Sequence, residues 1–396
     1  LHGTEQSKFL VRFAVEKDGR LYKLWEDDNF IAEYSRYYID SLSHNDEDFC
    51  YATGKPGYMA KLHGKNIRFA GDGAKLISSN DEVDFTFRGR FDFPEEAFRV
   101  SYEASEKAHS ALRWLIRNQG YVRNGYTVVA WTAGADRIIQ PMTDTDDLLN
   151  ALYKGSFDFD ILDTGEDFAL QIRKALKGYR QKLDTSKPVN IMAMDSATPG
   201  RMSILYYGEK LVDDYLESIE KWHSQLTWEH FYKRKKEKVN GNTTSKTYRF
   251  TGAPSPFDIV LCAFGTEQNG VLKISERDKF VNQQLGRLLP CIVDGAKLPV
   301  DFMRGAYRNA IRPQSMEKSN WKMCLTVACS LIRKYYIDRK GVDYSMALNN
   351  NLDDRSYLYG RLLAIADKLE SDALAKKNID RETTAMRYME ALSKRP

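Results

Sequence analysis

Gly73-Ala74-Lys75-Leu76-Ile77-Ser78-Ser79-Asn80-Asp81 is followed by Phe85-Thr86-Phe87-Arg88-Gly89-Arg90-Phe91, a helical pattern from Pro94 to Asn118, and the apolar run Tyr126 to Trp131. Asn80-Asp81 is a turn pair, because short amide and carboxylate side chains bond their own backbone. Arg88 and Arg90 flank Gly89: two planar guanidiniums beside a residue that allows close backbone approach suit phosphates or base edges. A plain hairpin, with its arginines paired to carboxylates such as Asp84 or Glu95, accounts for the same residues. Pro94 followed by Glu95 and Glu96 fits a helix start, where the dipole favours carboxylates. Ala97, Val100, Ala104, Ala108, Leu112 and Leu115 would form its packed stripe, and Arg113 and Arg117 a cationic face. The Val and Trp content of residues 126–131 argues for a buried strand.

Outward from that stretch, strands and helices segregate. Residues 8–15 alternate as a strand, Asp18-Gly19 is a hairpin turn, and Leu21 to Trp25 returns. Asp27-Asp28 caps a helix over about 30–42. Val189–Ala193 and Met202–Tyr207 are strands joined by a small-residue loop that ends at Arg201, where Asp195 and Arg201 have the placement of a pair. Glu209 to Lys221 is an amphipathic helix, and the residues to His230 continue in that style. Lys233-Arg234-Lys235-Lys236-Glu237-Lys238 is the densest basic run, followed by a polar stretch, 239–246, expected to be a mobile loop. A DNA-phosphate arm and an ordinary solvated surface are equally served by that pattern. From Pro254 the pattern is almost wholly helical, over 279–289, 300–311, 320–336, 357–376 and 381–393. The fold expected is α+β: a mixed region with small sheets over 1–207, a helix and basic loop over 208–253, and a helical region over 254–396.

Bulk properties bound the function loosely. The 396 residues suffice for two or three domains, 42% apolar content is that of a folded soluble protein, and a net charge of +4 permits a local basic patch without requiring one. Five cysteines with no Cys-x-x-Cys pair fit buried thiols in a reducing, cytoplasmic setting. No stretch has the length of a membrane span. Both ends, at Leu1 and Pro396, look cut. Three chemical readings compete. Asp158, Asp160 and Asp163 group carboxylates as metal-dependent nucleases do, although an acidic loop before a helix explains them equally. His63 or His109 as a base would make an endoribonuclease, against which stands an ordinary packed histidine. Cys50 with His63 lacks a second ligand pair for metal. No phosphate-binding glycine loop and no nucleophile with a placed base is present, so no cofactor is expected, and from these residues alone the function is not legible.

One resemblance carries further. Gly73 to Ser78, Asn80-Asp81, Phe85-Thr86, Arg88 to Phe91, and Tyr102-Glu103-Ala104-Ser105 through Lys107-Ala108-His109 to Trp114-Leu115-Ile116 resemble the large subunit of the type I-C CRISPR interference complex, Cascade. Cys50, Thr53-Gly54 and His63, the loop before Arg201, Tyr357-Leu358 with Gly360 to Ala364, and Thr384 to Met389 extend the likeness over nearly the whole chain. The resemblance implies a subunit beside Cas5-type and Cas7-type backbone subunits and a small helical subunit, in a complex whose crRNA pairs with target DNA. Such a subunit recognises the protospacer-adjacent motif in double-stranded DNA, helps part the strands, supports the displaced strand and cleaves nothing; a separate helicase-nuclease follows. It implies no membrane partner. Family sequence upstream of Leu1 is expected to carry part of the motif reader. Residue type and placement nominate Asn80, Arg88 and Arg90 near the motif and Lys75 on phosphate, with Lys233, Arg234, Lys235, Lys236 and Lys246 on backbone elsewhere.

Overall fold

The computed structural model describes residues 12–42, 46–77, 98–134, 137–153, 165–198, 200–239, 242–274, 278–344 and 346–394. The chain divides into two compact units, one of residues 1–117 with 196–203, the other of 118–195 with 204–396.

In the first unit, β1 (Ala14–Lys17) and β2 (Arg20–Lys23) form a hairpin. Asp18 and Gly19 both take positive φ, +51° and +70°, the twist a two-residue hairpin turn needs. The side chain of Asp27 accepts the backbone N–H groups of Asn29 and Phe30, so helix α1 (Asp28–Ser41) begins where its cap predicts. A short hairpin follows, β3 (Glu47–Phe49) with β4 (Pro56–Tyr58), and its turn carries buried Cys50. Helix α2 (Tyr102–Gln119) starts later than the expected Pro94. Residues 94–97 lie outside the described residues, and 98–101 are not helical. Ser101 is the physical reason: its hydroxyl accepts the Ala104 N–H and its carbonyl the Ser105 N–H, which makes it the cap.

The second unit is built on a four-stranded sheet, β5 (Tyr121–Arg123), β6 (Tyr126–Thr132), β7 (Val189–Thr198) and β8 (Arg201–Lys210), in that order. β6 pairs antiparallel with β5 and with β7, with Val128 opposite Ala193, and Tyr126, Val128, Val129 and Ala130 are fully buried. Helices α3 (Thr145–Tyr153), α4 (Gly165–Arg180) and α5 (Val212–Gln225) contribute Leu148, Leu149, Ile172, Tyr215, Ile219 and Trp222 to the same core. Helix α5 does not run on towards His230 as the sequence pattern had it. It closes at Leu226, and Trp228 opens strand β9 (Trp228–Val239), paired antiparallel with β10 (Asn242–Gly252). Then come α6 (Pro256–Phe264), the hairpin β11 (Thr266–Gln268) and β12 (Val271–Lys273), α7 (Asp278–Val293), α8 (Val300–Ala310), α9 (Lys318–Lys340), α10 (Arg355–Lys376) and α11 (Thr384–Lys394). The helical C-terminal part and the α+β class follow the expectation. At Gly305 an added Cβ would lie 2.2 Å from the Ala263 carbonyl oxygen, so only glycine lets α8 lie this close to α6.

Candidate nucleic-acid interface

Lys75 is the described member of the N-terminal candidate set. Its N–H donates to the Gly200 carbonyl at 3.1 Å and its carbonyl accepts the Met202 N–H at 2.9 Å, which bridges it to Arg201 at the β7–β8 turn. The turn before it is locked by charge. The Arg68 guanidinium grips Asp72 through Nε and Nη2, both at 2.8 Å, and reaches Ser196 at 3.1 Å. Asp72 also accepts the Ala74 N–H at 3.1 Å. Arg68 and Asp72 are both buried, so neither charge tolerates loss of the other. Burial alone would raise the Asp72 carboxyl, but the Arg68 and Ala74 hydrogen bonds hold it below the usual carboxylate range. Lys75 is thus half-buried on a rigid support, two residues from Gly73 and five from Asn80 in the chain. Asn80, Arg88 and Arg90 lie outside the described residues.

His63 and His109 meet across Ser105. His109 Nδ1 donates to the Ser105 carbonyl at 2.6 Å, and Ser105 Oγ lies 2.9 Å from His63 Nδ1. The assignment that satisfies both contacts has the serine hydroxyl donating to His63, with the His63 proton on Nε2. Both rings are buried, and burial, then His109 and Lys75, push His63 down to about 4. Gly64 completes this packing: a Cβ there would meet the His109 ring at 3.0 Å. Two buried imidazoles on a helix–loop contact serve cohesion of the first unit. Elsewhere in the first unit, a cleft of about 590 Å³ is lined by Ile39, Leu42, Lys55, Tyr58, Tyr102 and Lys107.

The basic run is not followed by a loop. Lys233, Arg234, Lys235 and Lys236 are positions of β9 and Lys246 is a position of β10, in one long two-stranded ribbon. The register pairs Lys235 with Lys246 and Arg234 with Thr247, and it runs unbroken from Lys233↔Tyr248 to Val239↔Asn242. A register shift between Tyr248 and Phe250 separates this outer part from an apolar root. In the root, fully buried His230 stacks on Phe250 with centroids 4.9 Å apart, and it faces Thr326 of α9 at 3.0 Å and the Gly252 carbonyl at 3.2 Å. Tyr232 donates to Asp258 of α6 at 3.1 Å, and Arg249 pairs with Glu229. The ribbon is therefore held at its root by two helices of the core.

The remaining candidates scatter. Asp158, Asp160 and Asp163 lie outside the described residues. Cys50 is buried and its sulfur accepts the Ser101 N–H at 3.3 Å. Asp195 accepts from Asn282 at 3.0 Å, a partner the sequence reading did not foresee. Asp144, Asp146 and Asp147 come together, but Asp144 caps the Asp147 N–H at 2.9 Å in the first turn of α3, where the helix dipole accounts for acidic residues. Among the described residues no helix is long and apolar enough to cross a membrane.

The sequence profile of a family described as CRISPR-associated protein (Cas_Csd1) matches residues 2–396. The chain belongs to the Csd1 family of CRISPR-associated proteins. It is therefore a Cascade-type large subunit, a component that assembles with other Cas subunits and crRNA. Comparison with curated proteins finds no match. In this Csd1 chain the family is written in residue order, not in charge or periodicity.

Proposed function

We propose that this Csd1 chain is the non-catalytic large subunit of a type I-C crRNA-guided surveillance complex. It recognises the protospacer-adjacent motif, binds the target duplex and helps part its strands before a separate helicase-nuclease arrives. The observation that carries this reading is the match of nearly the whole chain to the family. In such complexes guide pairing reads the sequence, and the protein needs only a few donors for the motif and cations for phosphate. Lys75 on its clamped turn, with Asn80, Arg88 and Arg90 downstream, supplies the donors; the basic ribbon supplies further cations. Neighbouring subunits are the Cas5-type and Cas7-type backbone proteins and a small helical subunit, and the setting is the cytoplasm.

The test is binding of the complex, assembled with guide RNA, to duplexes that differ only at the adjacent motif. We expect preference for one motif, and loss of about 2–6 kcal/mol when Arg88 and Arg90 are both changed to alanine, as two base-edge contacts would require. A complex assembled without this chain that binds its target equally well overturns the reading.

A further inference from the structure

We infer that the outer part of the β9–β10 ribbon enters the major groove of B-form DNA. The inference deepens the proposed function and rests on its premise that this chain meets duplex DNA. Charge is the first observation. Residues 233–248 contain Lys233, Arg234, Lys235, Lys236, Lys238 and Lys246 against the single carboxylate Glu237, while the whole chain is only +4. The rest of the polypeptide is thus slightly anionic, and the net positive charge is concentrated in this ribbon. Distribution is the second observation. Successive positions of a strand alternate between its faces, so by backbone register positions 233 and 235, with 246 opposite 235, belong to one face of the ribbon and positions 234, 236 and 238 to the other. An element that lies on a flat anionic surface needs cations on one face. Cations on both faces fit a channel with phosphates on both walls.

Dimensions and composition select the channel. A two-stranded ribbon with its side chains is roughly 10 Å thick, and its seven outer residues extend about 23 Å. The B-DNA major groove, about 12 Å wide and about 8.5 Å deep, admits such a ribbon, whereas the minor groove at about 6 Å does not. The major groove of an RNA duplex is too narrow and deep to be entered. Single strands are gripped by stacking on aromatic rings, and the outer ribbon has one aromatic residue, Tyr248, at its inner limit. Threonine and serine at 243, 244, 245 and 247 offer hydroxyls that accept any base edge, so this contact is sequence-independent. The register shift between Tyr248 and Phe250 marks where the anchored root ends and the outer part begins.

The complex, with its guide RNA, is titrated with a duplex that lacks both guide match and motif. The probe is 30 bp long, and single-stranded DNA and double-stranded RNA of equal length are compared with it. A six-fold glutamine variant at 233, 234, 235, 236, 238 and 246 is expected to bind the DNA duplex at least tenfold more weakly. Its slope of log affinity against log salt should be shallower by about 5, at about 0.9 per lost phosphate contact. A duplex whose cytosines carry glucosylated hydroxymethyl groups, which fill the major groove and leave the phosphates unchanged, should weaken the wild type but not the variant. Distamycin in the minor groove should change neither. Equal binding of plain and glucosylated duplex by the wild type, or RNA duplex competing as well as DNA, overturns the inference while leaving the proposed function intact. If the six-fold variant shows the wild-type affinity and slope, the ribbon is off the DNA path. Wild-type complex that does not bind this non-target duplex also overturns the inference, whereas the proposed function stands or falls on guide-matched duplexes that differ at the motif. Circular dichroism and a single Lys235→Gln variant, with a slope change near 1, separate contact loss from misfolding.

Discussion

At Gly252 the root of the ribbon depends on a missing atom. The residue has φ +151°, and a Cβ there would sit 2.4 Å from Thr145 Cβ, which cannot retreat because Thr145 Oγ1 accepts the Ala253 N–H and contacts His223 Nδ1 at 2.7 Å. Gly252→Ala is expected to cost about 2–4 kcal/mol, from backbone strain and overpacking together, read as a lower urea midpoint. An unchanged midpoint would mean that the contact relaxes freely. His223 itself is fully buried and pushed down to about 3 by that burial. Its folded pKa lies below its unfolded value near 6.5, so the unfolded chain binds the extra proton between those limits. The stability it contributes is complete above about pH 6.5 and is lost as pH falls towards 3, on the order of 3–5 kcal/mol. Unfolding curves of the wild type and a His223→Gln variant across that window check it, and parallel pH profiles would refute it. The Arg68–Asp72 pair gives a third expectation. Arg68→Met leaves a buried carboxylate alone and should cost about 3–5 kcal/mol, with much of the loss recovered when Asp72→Leu is added. Pairs of this kind were invisible beforehand, since charged residues are normally exposed and nothing in the order of residues 66–74 marks these two as buried. By contrast Asp27 and Asp18-Gly19 were legible, because caps and hairpin turns are decided by residues next to one another.

Among the elements, helices with long apolar stripes were readable and the ribbon was not. Lys, Arg and Glu carry no strand signal, so 233–238 read as part of a basic loop, either a DNA-phosphate arm or a solvated surface. The structure obeys a different signal: His230 and Tyr232 are two apart on β9, Phe250 lies opposite His230, and the three rings pack on one another at the root. A trace was present, since Asn240-Gly241 between two such runs is the commonest closure of a two-residue hairpin. The strand was therefore specified by its anchored end and not by its charged middle. His230→Ala removes the ring that stacks on Phe250 and meets Thr326, and should cost about 2–4 kcal/mol. It should also speed amide hydrogen exchange along 228–232 and 249–252 more than elsewhere. Exchange that rises evenly over the molecule would show that the root does not hold the ribbon. The late start of α2 has a similar lesson, since two equally good helix-start signals compete at Pro94 and Ser101.

For the molecule as a whole, the α+β class and the helical C-terminal part followed from periodicity, while the family followed from residue order. Neither reveals the division into two units, because residues 196–203 join the first unit from far along the chain. That return is also what holds Lys75. Its two backbone hydrogen bonds to Gly200 and Met202 make a mooring, and covalent geometry then limits everything downstream. Five residues of fully extended chain reach no more than about 18 Å, and thirteen no more than about 47 Å. The motif contacts proposed for Asn80 and Arg88 are tied to that mooring, since their α-carbons lie no farther from Lys75 than those lengths, and a motif contact cross-linked to an α-carbon beyond them would belong to a different part of the assembly.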